Sequence, residues 1–144
     1  MVRELRIVVL NDNTPGKGLK NEWGLSIYVE SEKWKILFDA NSNERIIEFN
    51  SKKLNIDLEN IDFAFLSHYH YDHYGGFSYF KKIKRKIDIF VPPGNTEILR
   101  EDNLNPIEIN SFKNIAQDVW SSGPLGIINE QAMGILVDNT GLVV

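Results

Sequence analysis

The sequence predicts an α/β or α+β layer structure, and three observations carry that prediction. Short apolar segments rich in β-branched residues recur along the chain. Helical patterns fall between them at two or three points, so strands and helices interleave. No internal repeat, low-complexity stretch or linker breaks the series, and 144 residues that are 42% hydrophobic and 25% charged suit a single domain over 1–144.

Residues 5–10 (LRIVVL) read as a buried strand, and 11–21, with Asn, Asp, Pro and two glycines, as a loop. Residues 23–30 (WGLSIYVE) partly alternate, with Leu25, Ile27 and Val29 on one face. The polar turn 31–33 joins them to 34–38 (WKILF) as a hairpin. Ser42 or Asn43 is positioned to cap a helix over 44–54, whose stripe is Ile46, Ile47, Phe49 and Leu54. Residues 61–66 (IDFAFL) form a strand that runs into SHYHYDHYGG. A helix over 77–84, a strand over 87–91 stopped by Pro92-Pro93-Gly94, a short helix over 96–100 and a short strand over 106–109 follow. Residues 119–126 contain turn material, SSGPLG, and strands over 131–137 and 142–144 flank the turn Asp138-Asn139-Thr140-Gly141. The final Leu-Val-Val leads us to expect a chain cut within an apolar strand.

Composition removes several function classes. With no cysteine, disulfides and thiolate metal ligands are impossible, and an intracellular, cytoplasmic protein is the expectation. The first residues lack a signal-peptide pattern, and no apolar run approaches the about 18 residues of a membrane span. A net charge of −4 disfavours binding to nucleic acid, and the basic run 81–86 reads as a solvated helix end.

The three histidines of the chain, His68, His70 and His73, all lie in one six-residue window with Asp72. A loop leaving a strand can still alternate its side chains, so His68 and His70 converge on one point and Asp72 with His73 address a neighbouring one. Imidazole nitrogens and a carboxylate suit zinc, iron or manganese. Two such pairs make a two-metal site, with ions about 3.5–4 Å apart that share a water. Gly75 and Gly76 let the backbone turn tightly beneath it. Tyr69, Tyr71 and Tyr74 are expected to pack around the loop.

At these residues the sequence resembles the metallo-β-lactamase superfamily, whose HxHxDH motif it matches position by position. The resemblance extends to Asp12-Asn13-Thr14, Glu22-Trp23-Gly24-Leu25-Ser26, Ile36-Leu37-Phe38-Asp39, Ser67, Ser122-Gly123-Pro124, Glu130 and Gly141-Leu142-Val143-Val144. These point to a branch of metal-dependent hydrolases that includes a dihydropterin–ribofuranosylaminobenzene phosphate synthase. The resemblance implies the N-terminal half of an αββα sandwich, truncated before the second half. It implies a hydrolase in which metal-bound hydroxide attacks an ester or phosphoester of a small molecule, with synthase activity in pterin biosynthesis as an alternative. It implies two zinc ions per complete site, iron or manganese being possible. His68 and His70 would ligate the first, Asp72 and His73 the second, with Asp72 also the catalytic carboxylate. Asp39 would steady the histidine loop from behind. His70, where the di-iron oxidoreductases carry Glu, resembles the hydrolytic zinc members.

Two departures from the family pattern stand out. Ala40-Asn41 replaces the usual glycine after the third-strand aspartate, and Asn tolerates the positive φ needed there. No histidine follows His73, so the ligands of the second half have no counterpart, and Asp118, Glu130 and Asp138 receive no role. A catalytically inactive half-domain that binds metal weakly is therefore the competing expectation. A half-sandwich exposes an apolar sheet face, which predicts a homo-oligomer or a complementing second chain.

Overall fold

The apolar runs become two sheets in the computed structural model, which describes residues 1–144. β1 (Leu5–Asn11), β2 (Ser26–Ser31) and β3 (Lys35–Phe38) form an antiparallel meander. β4 (Phe63–Phe65), β5 (Ile87–Val91) and β6 (Leu104–Glu108) extend it in parallel, giving the order β1-β2-β3-β4-β5-β6. The hairpin at 31–33 forms as expected, with Ser31 Oγ accepting from the Lys33 and Trp34 amides.

Parallel strands need crossover segments, and these are the helices. α1 (Glu44–Lys53) links β3 to β4; Asn43 caps it, accepting from the Arg45 amide, while Ser42 bonds Glu22 and the Trp23 carbonyl instead. α2 (Tyr71–Tyr74) runs into a 3₁₀ segment, Gly75–Lys82, in place of the α-helix expected over 77–84. The second amide of that segment, that of Gly76, bonds outward to the Asn41 carbonyl, so its first turn is held by a tertiary contact. α3 (Glu97–Glu101) links β5 to β6.

The second sheet is antiparallel and contains β7 (Lys113–Ala116), β8 (Val119–Ser121), β9 (Met133–Val137) and β10 (Thr140–Val143), in the order β10-β9-β8-β7. The β9–β10 hairpin follows the expected turn. β7 was not legible: Lys113 and Asn114 are exposed, and the strand exists because it pairs with β8 across Asp118, held at φ 59°.

Period-2 alternation sorts the six-stranded sheet between two cores. Leu37, Ala64, Ile87 and Ile89 face the helices and pack with Ile47, Phe77, Phe80 and Leu99. Val29, Ile36, Phe38, Phe63 and Phe65 face the second sheet and pack with Val119, Met133 and Ile135. The layers are thus helix, sheet, sheet, a mixed α/β architecture.

Two expectations need correction. The inner sheet face is not bare, because the second sheet covers its centre. Residues 5–10 are not a buried strand: β1 is an edge, with Ile7 46% and Val9 45% exposed. The cover stops short of β1, leaving an apolar cleft of about 910 Å³ between Ile7 and Ile27 on one side and Leu142, Val143 and Val144 on the other. No helix is long and apolar enough to cross a membrane.

Candidate metal centre

β3 and β4 are parallel neighbours, so their carboxyl ends lie side by side, where such sheets place chemistry. β3 ends in a turn with Asp39 at φ 53° and Asn41 at φ 47°; Asp and Asn adopt this left-handed region more readily than most residues, and the turn forms without a glycine. β4 ends at Phe65, and the chain passes through Leu66 into Ser67-His68. Three backbone bonds lash the following loop to this turn and to the start of β2. The Ala40 amide donates to the His73 carbonyl at 2.8 Å, Leu25 to Asp72 at 3.3 Å, and Gly76 to Asn41 at 3.0 Å.

Glycine is needed here for closeness. A Cβ on Gly76 would overlap the Ala40 carbonyl oxygen, and one on Gly24, at φ 134°, would overlap that of Asp72. Gly75 has an ordinary helical φ of −56°, and its Cβ would lie 2.6 Å from the Ser42 carbonyl oxygen. The two glycines of the motif therefore press against the β3 turn, which differs from the role of turning beneath a metal.

The loop brings the three imidazoles together. The His68 ring lies 4.4 Å from that of His70, edge to face, and 4.2 Å from that of His73, centroid to centroid. Asp72 Oδ2 lies 3.6 Å from His73 Nε2. Asp39, wholly buried, sits behind them. Its Oδ1 accepts from the Ser67 amide at 2.8 Å, and its Oδ2 accepts from Ser67 Oγ and His73 Nδ1, both at 2.6 Å.

Burial pushes the Asp39 carboxyl above the usual carboxylate range, opposed by the hydrogen bonds from His73 and Ser67. Burial pulls His73 down, but its bond to Asp39 and the charge of that carboxylate outweigh this, and the net shift is upward. The pair therefore releases its protons late. His68 moves the other way, lowered by burial and then by His73. Burial, with the charge of Glu108 adding to it, raises Tyr69 to about 12; it packs among the helix-side core residues with Tyr74, a poor proton donor.

Two residues given no role by sequence reasoning sit at the site. Glu130 Oε1 lies 3.8 Å from His68 Nδ1. Buried Gln131 is a strut: its amide donates to the Ser67 carbonyl, and its side chain joins the Leu66 and Phe90 carbonyls to Ser121 Oγ. Both are distant in sequence from the histidines and no spacing signals them, although Glu130 is among the residues that carry the family resemblance.

The sequence matches the profile of the metallo-β-lactamase superfamily over residues 20–116, about two thirds of its length. The chain belongs to the metallo-β-lactamase superfamily. Within it, 78 residues are 44% identical to the 7,8-dihydropterin-6-methyl-4-(β-D-ribofuranosyl)-aminobenzene-5′-phosphate synthase of Methanocaldococcus jannaschii, covering 51% of this chain and 26% of the synthase. Among solved metallo-β-lactamase structures, a metal-dependent hydrolase superposes with a TM-score of 0.75 at 22% identity, over 97% of this chain and 64% of that one. An N-acyl homoserine lactone hydrolase superposes with a TM-score of 0.69 at 20% identity, over 97% of this chain and 73% of that one. These likenesses establish the fold. The chain matches about a quarter of the curated synthase and about two thirds of the first structural neighbour.

Members of this superfamily typically bind metal ions, and the donor types here suit one: imidazoles, an adjacent carboxylate and a buried carboxylate behind them. The donor set is nonetheless short. No three His, Asp or Glu side chains are grouped so as to hold one ion.

Proposed function

We propose that this chain carries the ligand loop of a dinuclear metal-dependent hydrolase, completed by donors from a complementing polypeptide. The convergence of His68, His70 and His73 in front of buried Asp39 carries this reading. His68 and His70 would hold one ion and Asp72 with His73 a second: zinc, with iron or manganese suited to the same donors. Such ions supply Lewis acidity and acidify water near neutral pH. Asp39 holds the His73 ring, and Asp72, beside His73 Nε2, would be the carboxylate able to accept a proton and return it to a leaving group. The substrate class is a small-molecule ester, phosphoester or related centre, approaching exposed His70. Nucleic acid and membrane have no part in this reading, and a cysteine-free chain fits a cytoplasmic setting.

A second reading, synthase chemistry on a dihydropterin, is favoured by the 44% identity to the archaeal synthase. Product analysis with a dihydropterin and a ribofuranosylaminobenzene phosphate, set against a panel of esters and phosphoesters, separates the two.

With two motif donors per ion against the three or four that zinc requires, the isolated chain should bind zinc weakly and hydrolyse little. The double change His68→Ala with His70→Ala should remove the binding seen by calorimetry. Tight binding of two zinc ions by the isolated monomer would contradict the reading.

The open β10 edge and the exposed Ile7 and Val9 are the surface for the complementing chain, or for a second copy. Association and zinc affinity should rise together, since binding to the assembled state adds to its stability. Light scattering with and without zinc checks this; a lone chain that stays monomeric at high concentration and ignores both zinc and the partner would refute it.

A further inference from the structure

Two histidines of the centre turn their Nδ1 atoms towards one buried carboxylate, His73 directly and His68 through a hydroxyl. We propose that Ser67 is a positioning residue that relays Asp39 to His68, so that a single carboxylate sets the tautomer of both imidazoles. A serine hydroxyl has one proton to give. Ser67 Oγ gives it to Asp39 Oδ2 at 2.6 Å, an oxygen that only accepts when the carboxyl is ionised. Towards His68 Nδ1, 2.9 Å away, the same Oγ can then only accept, so His68 Nδ1 carries the hydrogen. His73 Nδ1 does likewise against Asp39 at 2.6 Å. Each ring is left with Nε2 as its bare lone pair, the state an imidazole needs in order to hold a cation.

Ser67 is well fixed for this task. It is buried, its amide donates to Asp39 Oδ1 at 2.8 Å, and its carbonyl accepts from the Gln131 amide at 2.8 Å. Glu130, 3.8 Å from His68 Nδ1, is too far to hydrogen-bond that nitrogen. The His70 ring makes no hydrogen bond within the chain and serves as an internal control whose tautomer nothing sets.

The consequence for affinity rests on the metal reading, whereas the tautomer is measurable without metal. Long-range ¹H–¹⁵N correlation on the labelled metal-free chain, at alkaline pH where the rings are neutral, should find His68 and His73 in the Nδ1–H form and His70 mixed. Ser67→Ala should move His68 towards Nε2–H and leave His73 unchanged, which also reports that the fold persists. Glu130→Gln should leave both unchanged. In a zinc titration Ser67→Ala should lose about 10-fold or more in affinity. A wild-type His68 carrying its proton on Nε2 overturns the relay, as does a His68 that shifts in Glu130→Gln but not in Ser67→Ala. If wild type binds no zinc at all, the metal reading falls and the tautomers alone decide the relay.

Discussion

Asp39→Ala is expected to lower folding stability by about 4 kcal/mol, a large part of the about 5–15 kcal/mol that holds a domain together. Asp39 is inaccessible and accepts three hydrogen bonds, from the Ser67 amide, the Ser67 hydroxyl and His73 Nδ1. Alanine leaves these donors facing apolar surroundings, and each buried donor without a partner costs about 1–3 kcal/mol. Alanine also sits poorly at φ 53°, where Asp and Asn are tolerated. Asp39→Asn keeps the shape and the backbone preference and should lose roughly half as much. Urea unfolding of the three proteins measures the differences. An alanine variant within about 1 kcal/mol of wild type would mean that water or a rearranged loop replaces the carboxylate.

Gly76→Ala is expected to be comparably severe and to loosen the histidine loop. The added methyl group would overlap the Ala40 carbonyl oxygen and lie 2.9 Å from Asn41 Oδ1. The first obstacle is backbone, so no side chain can swing aside. Relief requires parting the loop from the β3 turn, at the expense of the bonds from Ala40 to His73 and from Gly76 to Asn41. Overpacking commonly costs about 1–3 kcal/mol, and two weakened backbone bonds add about 1 kcal/mol each. Gly134→Ala, with nothing within 4 Å of the new methyl group, is the matched control and should be neutral or slightly stabilising. Equal urea midpoints for the two variants would show that the loop yields freely and does not depend on this contact.

The elements near the centre show why some of this was legible. The hairpin over 31–33, the strand before the histidines and the cap at Asn43 each rest on a few adjacent residues whose chemistry is local. β7 carries no apolar alternation and forms only because β8 offers it a partner, so no pattern in Lys113–Ala116 announces it. The segment Gly75–Lys82 has a helical composition, but the Gly76 amide is claimed by the Asn41 carbonyl while the Asp72 carbonyl accepts from Leu25, and the chain follows a 3₁₀ path. Exposure of β1 was equally hidden, since an apolar strand reads alike at an edge and in a centre.

By itself the sequence determined the layer class, the strand that precedes Ser67 and the clustering of every histidine in one loop, because these depend on neighbours along the chain. The resemblance already set Asp39 behind the histidine loop. Tertiary structure alone decided that its partner there is His73, 34 positions away, that the same carboxylate reaches His68 through Ser67, and that Glu130 and Gln131 close over the loop from the segment between β8 and β9. Those contacts arise from the parallel pairing of β3 with β4 and from the packing of two sheets. Such juxtapositions are set by the burial of whole faces, a property that no single segment of the chain carries.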